Sequence, residues 1–186
     1  PADDISQELI AEITESVLKP VLEGMDALGV PYVGILYAGL MLTENGAKVL
    51  EYNCRFGDPE TQVVLPLLKT DLYDIMLACI NGTLDEMDIE WHDGYCSTVV
   101  CASPGYPESY PKGLEISGVE DADNVIVFHA GTKRENDTLL TNGGRVLAVS
   151  ALADSLDKAL EKSYAGVKKI HFDNMHYRTD IGEIYE

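Results

Sequence analysis

The sequence predicts an α+β chain in two parts, and three observations predict it. An amphipathic helical pattern leads into two apolar runs joined by an asparagine–glycine turn. Two short helical patterns and a polar, acidic stretch follow. Beyond that stretch, short β-branched runs alternate with turns before one last helical pattern. The 186 residues suffice for one good core or for two small cooperating units.

The elements follow in chain order. Asp3, Asp4 and Ser6 offer N-cap oxygens. Ile5, Leu9, Ile13, Val17, Val21 and Met25 then recur every fourth residue, and Leu18, Leu22 and Leu28 broaden the stripe. Pro20 inside this run predicts a kink or a restart, and Gly29 a stop. Tyr32–Asn53 reads as an antiparallel hairpin turning at Glu44-Asn45-Gly46, with Lys48–Asn53 as the return strand. Helical patterns cover Thr61–Leu68 and Asp71–Ile80, the second closed by Asn81-Gly82. Thr83–Asp93 is the predicted boundary, which divides the chain into residues 1–90 and 91–186. In the second part Tyr95–Ala102, Asn124–Ala130 and Val146–Ser150 read as strands. Ser103–Pro107 reads as a loop, and Asn142-Gly143-Gly144-Arg145 as a turn feeding the third strand. Leu152–Ile170 reads as a helix with Asp154 and Ser155 near its start. Asp173–Glu186 reads as a tail that packs back.

Composition narrows the function. Apolar residues make up 46% of the chain, too many for compositional disorder. No apolar run approaches the roughly 20 residues that span a bilayer. The net charge of -19 repels phosphate, which argues against nucleic acid and anionic membrane as partners. Pro1–Gln7 has neither an initiator methionine nor the pattern of a signal peptide, and the chain reads as one that starts inside a longer protein. Cys54, Cys79, Cys96 and Cys101 form no C-x-x-C pair, and read as reduced, buried thiols of a cytosolic protein. His92, His171 and His176 share no metal-ligand spacing. Tyr106, Tyr110, Tyr164 and Tyr177 read as packing residues.

Glu51, Asn53 and Arg55 alternate, so on one strand all three point to one face, with Tyr52 and Cys54 turned to the core. A carboxylate and an amide oxygen suit a hard divalent cation that also takes phosphate and water. A guanidinium beside them can grip a phosphate and stabilise its transfer. An E-x-N-x-R strand by itself also reads as a solvated edge. The continuation Phe56-Gly57-Asp58-Pro59-Glu60 separates the two, because a solvated face has no need of that turn. Asn142-Gly143-Gly144 by itself reads as an ordinary hairpin turn, and His129 as a strand-end histidine with a satisfied hydrogen bond.

The segment from Glu51 through Arg55 and Asp58 to Thr61 resembles the signature of the phosphoribosylamine–glycine ligases, also called glycinamide ribonucleotide synthetases, of the ATP-grasp superfamily. Gly34–Met41 is similar to the strand that precedes that signature. Phe128-His129-Ala130-Gly131-Thr132 and Thr141–Leu147 are similar to the family's C-terminal domain. The resemblance covers nearly the whole chain, with its motifs in order. It implies that residues 1–90 are the second half of an ATP-grasp domain, an antiparallel sheet with helices, and that 91–186 are a small α+β C-terminal domain. It implies a cytoplasmic purine-synthesis ligase. ATP would phosphorylate glycine, and phosphoribosylamine would attack the acyl phosphate. By the same resemblance Glu51 and Asn53 would ligate Mg2+ or Mn2+, Arg55 would contact the transferring phosphate, and Asp58 would orient the amine. Gly143, Gly144 and Arg145 would hold the ribose phosphate, with His129 and Thr132 lining that pocket.

The sequence departs from the ATP-grasp pattern in two ways. Many members supply a second metal carboxylate from the neighbouring strand; Ile35–Leu42 has none, and Ala38 stands near that place. The family's N-terminal domain and the first half of the ATP-grasp fold, with its lysines, lid and adenine contacts, have no counterpart here. The chain alone is therefore expected to be inactive and to need the missing N-terminal half as partner. The family is often fused to other purine enzymes, and an end at Ile184-Tyr185-Glu186 is compatible with a cut before such a domain. Two other readings stand beside this one. A purine-pathway or biotin-dependent carboxylase carries E-x-N-x-R without Gly-Asp-Pro-Glu. A non-catalytic acidic interaction module would keep only a relic of the fold.

Overall fold

A computed structural model describes residues 5–183, so the capping role expected of Asp3 and Asp4 and the end at Ile184-Tyr185-Glu186 lie outside the described residues. The chain forms two compact units. One comprises the residues up to Gly57 with Thr70–Ile89, and the other comprises Asp58–Lys69 with the residues from Glu90 onward.

The first unit opens with a helix in three pieces. Ser6 caps α1 (Gln7–Ile13) by accepting from the Leu9 amide. A π-helical turn over Thr14–Leu18 leads into α2 (Lys19–Ala27), which carries Pro20 in its first turn. Pro20 has no N–H to give to the carbonyl four residues back, and the ladder widens just before it: the Lys19 amide reaches the Thr14 carbonyl, five residues back. Gly29, at φ +76°, ends the helix. Its amide bonds Asp26 O at 2.8 Å while the Val30 amide bonds Met25 O at 3.0 Å, the double bond of a Schellman stop.

The hairpin is β1 (Tyr37–Thr43) with β2 (Gly46–Asn53), paired antiparallel. It is shorter than the sequence suggests, since residues 32–36 pair with nothing in the ladder. Gly39 faces Glu51 while Leu40 faces Val49, so Leu50 is an extra residue and the strand bulges there. Tyr52 and Cys54 are exposed, contrary to the core placement expected of them; the Tyr52 hydroxyl instead reaches out to Val17 O at 3.2 Å. Further along the chain the two predicted helices fall in different units: α3 (Thr61–Leu67) belongs to the second, and α4 (Leu72–Asn81) to the first. Asp71 caps α4 through the Tyr73 amide at 2.8 Å, and Gly82 closes it in the left-handed conformation. A short 3-10 turn over Leu84–Glu86 follows. Ile75 and Ala78 of α4 are buried, but Tyr73, Met76, Leu77, Ile80 and Leu84 form a second apolar stripe that is exposed.

The second unit is built on a three-stranded antiparallel sheet in the order β3 (Tyr95–Ala102), β7 (Arg145–Ala153), β4 (Ile126–His129). β7 lies between two strands and is buried over most of its length, as its near-continuous apolar run requires. α5 (Leu156–Val167) packs on β3 and β7. Val99, Cys101, Val146, Leu147, Val149, Val167 and Phe172 are fully or almost fully buried in one cluster. Ser97 and Ser163 share a buried hydrogen bond of 2.7 Å between β3 and α5. The predicted helix over Leu152–Ile170 starts late. Leu152 and Ala153 remain in β7 because Cys96 and Tyr95 are there to pair with them, and Ser155 caps the helix afterwards. The tail packs back over its described part: His176 bridges Ala102, and Met175, Tyr177 and Ile181 pack against the core.

A second hairpin, β5 (Thr132–Glu135) with β6 (Thr138–Thr141), lies where the sequence pattern predicts no element. Its two-residue turn places Asn136 and Asp137 at φ +46° and +65°. β6 therefore pairs with β5, and β7 with β3 and β4. Asn142–Gly144 joins two different sheets, and the ordinary hairpin-turn reading of it does not hold.

Candidate active site

The carboxylate strand lies in the first unit. Glu51 faces Gly39 and Asn53 faces Tyr37 across the ladder, so the two polar side chains share one face. Asn53 Nδ2 donates to Glu51 Oε1 at 2.9 Å. A Cβ at position 39 would stand 3.1 Å from Glu51 Cγ, so the glycine makes room for the carboxylate. Ala38 pairs with Tyr52 and turns to the opposite face; the residue that meets Glu51 is Gly39, which has no side chain to offer. Arg55 is not on the strand. β1 begins at Tyr37, whose partner is Asn53, so nothing remains for Cys54 and Arg55 to pair with and the chain bends. Arg55 Nη1 turns to Phe56 O at 2.9 Å.

These donors fit a hard cation in part. One carboxylate and one amide, adjacent and on one face, match the one or two protein groups that magnesium takes beside phosphate and water. The amide would have to turn its oxygen toward the ion and give up its bond to Glu51. Among the described residues no group of three histidine, cysteine, aspartate or glutamate side chains could hold a metal.

The other predicted residues lie in the second unit. Arg145 begins β7, and its guanidinium grips Asp58 twice: Nη1 donates to the backbone carbonyl at 2.8 Å, and Nη2 stands 3.1 Å from Oδ2. Both side chains are about two-fifths exposed, so the pair contributes little to stability and more to orientation. The Asp58–Pro59 peptide is cis. Gln62, in the first turn of α3, donates from Nε2 to Asp58 Oδ1 at 2.9 Å.

The glycine loop before Arg145 is held from two sides. The Gly131 amide donates to Arg145 O at 2.9 Å, and the Asn142 amide donates to Gly131 O at 2.7 Å. A Cβ on Gly131 would stand 2.6 Å from Gly143 Cα, so the two backbones meet where no side chain fits. On the other side Ser103 donates to Gly143 O from its hydroxyl and to Gly144 O from its amide, both at 2.7 Å. A Cβ on Gly144 would collide with the Tyr106 ring at 2.2 Å. The Tyr106 and Tyr110 rings stand 6.2 Å apart, tilted, and pack there as expected of them. His129 ends β4, with Nδ1 3.1 Å from Thr132 Oγ1, so the histidine has a local partner within its own turn.

Sequence reasoning passed over Gln62 and Ser103. Gln62 had a signal, because it follows Asp58 by four residues at a helix start. Ser103 had none, since its partners are 40 residues away.

Two family models match this chain in order. Residues 1–61 match the ATP-grasp (A) domain of phosphoribosylglycinamide synthetase, and residues 96–184 match its C domain. The chain belongs to the phosphoribosylglycinamide synthetase family. As a synthetase-family chain it is 54% identical over 185 residues to the trifunctional purine biosynthetic protein adenosine-3 of Gallus gallus, covering 98% of this chain and 18% of that protein. It is 46% identical over 185 residues to the phosphoribosylamine–glycine ligase of Caldanaerobacter subterraneus, covering all of this chain and 44% of the relative. The crystal structure of the phosphoribosylamine–glycine ligase of Thermotoga maritima superposes with a TM-score of 0.83 at 34% identity, over 94% of this chain and 43% of that one. The synthetase-family chain thus spans less than half the length of the relatives it matches. The first unit has the antiparallel hairpin and helices of an ATP-grasp portion. No helix among the described residues is long and apolar enough to cross a membrane.

Proposed function

We propose that the full-length protein containing this chain is an ATP-dependent carbon–nitrogen ligase. It joins glycine to 5-phosphoribosylamine through an acyl phosphate, giving glycinamide ribonucleotide, ADP and phosphate. The observation that carries this reading is the glycine loop ending in Arg145, whose guanidinium is held by Asp58 of the signature segment. Backbone amides of a close-packed glycine turn beside one oriented guanidinium suit a phosphate monoester. The match to the family's C domain supports taking that phosphate to be the ribose phosphate of the amine.

On this reading Gly143, Gly144 and Arg145 bind the ribose phosphate, with His129 and Thr132 at the pocket's edge. A carboxylate has about four lone-pair sites, so Asp58 can hold Arg145 and still orient the incoming amine. Glu51 and Asn53 hold Mg2+ or Mn2+, which when bound would neutralise charge on the ATP phosphates. Arg55, outside the ladder and exposed, contacts the phosphoryl group during its transfer to the glycine carboxylate. Phosphorylation makes that carboxylate a good electrophile. The amine then attacks the carbonyl carbon and phosphate leaves. We place the domain division at about Glu90–Trp91 and the protein in the cytoplasm. The chicken relative, trifunctional by name, makes a parent fused to other purine-pathway domains the arrangement to look for. The 186-residue chain alone is expected to be inactive, given the share of its relatives that it spans.

The test is ADP release by the full-length protein with ATP, Mg2+, glycine and freshly formed phosphoribosylamine, beside a Glu51→Ala variant. Release that requires both glycine and the amine, and collapses in the variant, supports the reading. Release that ignores glycine and requires bicarbonate would point to a carboxylase instead.

A further inference from the structure

The Asp58 carboxylate is held at both ends. Arg145 takes Oδ2 and Gln62 takes Oδ1, at 3.1 and 2.9 Å. We infer that Gln62 is a positioning residue for the phosphate-binding guanidinium: it fixes the rotation of the Asp58 carboxylate, and Asp58 in turn fixes the plane of Arg145. This rests on the phosphate-site reading of Arg145.

Gln62 is suited to the task because its backbone is tied down. It sits in the first turn of α3, where its amide bonds Pro59 O at 3.2 Å. Its backbone carbonyl accepts a long contact from Cys96 Sγ of β3 at 3.9 Å. Asp58 and Arg145, in contrast, are both substantially exposed, and exposed ion pairs rotate freely unless something else orients them. An amide serves here where a cation would not. It donates to Asp58 without competing with Arg145 for the single negative charge.

The position of Gln62 Oε1 adds a second, independent observation. That oxygen is buried and has no hydrogen-bond partner. A buried amide oxygen without a donor is costly, and a side chain kept for packing alone would be no worse as methionine. The orphaned oxygen is therefore the cost of presenting Nε2 to Asp58. It also fixes the amide's orientation, since the flipped rotamer would set an oxygen against the carboxylate.

The experiment uses the full-length protein with Gln62→Met, which preserves length and volume but removes the donor, beside Arg145→Met and the parent. Steady-state KM is measured for phosphoribosylamine, glycine and ATP, along with inhibition by ribose 5-phosphate and the thermal midpoint. The expected result for Gln62→Met is a rise of about tenfold in KM for the amine and a matching loss of ribose 5-phosphate inhibition, the scale of one hydrogen bond to a charged group. KM for glycine and ATP should stay within about twofold of the parent, and the thermal midpoint should not fall. If Arg145→Met weakens the amine and Gln62→Met does not, the inference about Gln62 is wrong and the phosphate reading of Arg145 stands. If neither variant changes the amine KM, the phosphate reading fails and takes the inference with it. A Gln62→Met protein that loses thermal stability and affinity for all three substrates together would show a structural role only.

Discussion

Replacing Gly131 by alanine tests how tightly the candidate phosphate loop is packed. The added Cβ would stand 2.6 Å from both Arg145 O and Gly143 Cα, and 2.8 Å from Gly143 N. All three are backbone atoms, so no side chain can rotate away. Overpacking of this kind costs about 1–3 kcal/mol. Relief by moving the strands apart would also stretch the Gly131 N–Arg145 O and Asn142 N–Gly131 O bonds, now 2.9 and 2.7 Å. Each of those bonds contributes about 1 kcal/mol net. The expected loss is about 3 kcal/mol. Gly113→Ala in the same unit is the comparison. There φ is +82° with nothing within 4 Å, so only the backbone conformation opposes the methyl group, at about 1 kcal/mol. Trp91 is the only tryptophan and belongs to this unit, so its fluorescence reports urea unfolding where both changes act. With a slope of about 2 kcal/mol per molar urea, the midpoint should fall by about 1.5 M for Gly131→Ala and about 0.5 M for Gly113→Ala. Equal shifts would refute the claim that the two backbones meet without slack.

Four further outcomes follow. Gly39→Ala should push Glu51 aside and weaken Mn2+ binding by the full-length protein with ATP about tenfold by electron paramagnetic resonance, whereas Gly24→Ala, with nothing within 4 Å, should leave it unchanged. Burial pushes the Cys96 thiol up to about 11 and the Cys101 thiol up to about 12, so at pH 8 iodoacetamide should label exposed Cys54 first, as read by peptide mass. Both thiols keep their protons longer in the folded chain than in the unfolded one, so their contribution to stability is complete below pH 9 and falls as pH rises beyond it; urea midpoints across that range check the sign. Asp137→Gly relieves a non-glycine residue at φ +65° in the β5–β6 turn and should stabilise the second unit by about 0.5 kcal/mol, after the extra freedom of glycine in the unfolded chain is counted.

Much of this architecture was legible in the sequence because local signals and tertiary structure agreed. Asn45-Gly46 marked the β1–β2 turn, Gly29 and Gly82 marked helix ends, and Ser6, Asp71 and Ser155 marked helix starts. The errors arose where a partner strand decided the outcome. Leu152 and Ala153 have a helical neighbourhood, yet the reach of β3 keeps them in the sheet. Arg55 keeps the spacing of a strand, yet β1 starts too late to pair it. The β5–β6 hairpin was missed because Asn136-Asp137 lacks a glycine, although both residue types tolerate positive φ. The candidate site was legible as a set of residues but not as a set of contacts. The bonds among Asp58, Gln62 and Arg145, and the approach of Gly131 to Gly143, join positions that no spacing relates.

The exposed stripe on α4 has a colloidal consequence. Tyr73, Met76, Leu77, Ile80 and Leu84 lie on the first unit's stretch from Thr70 to Ile89, which carries Asp71, Asp74, Asp85, Glu86 and Asp88 and not one lysine or arginine. Like-signed carboxylates around an apolar stripe act as a guard: two copies approaching through it must bring their negative charges together first. The guard is only as strong as its ionisation. Below about pH 4, or in salt that shortens the Debye length to about 3 Å, repulsion fades while the apolar area is unchanged. Dynamic light scattering of this chain should therefore show self-association rising with acid or salt, and Ile80→Lys should suppress it.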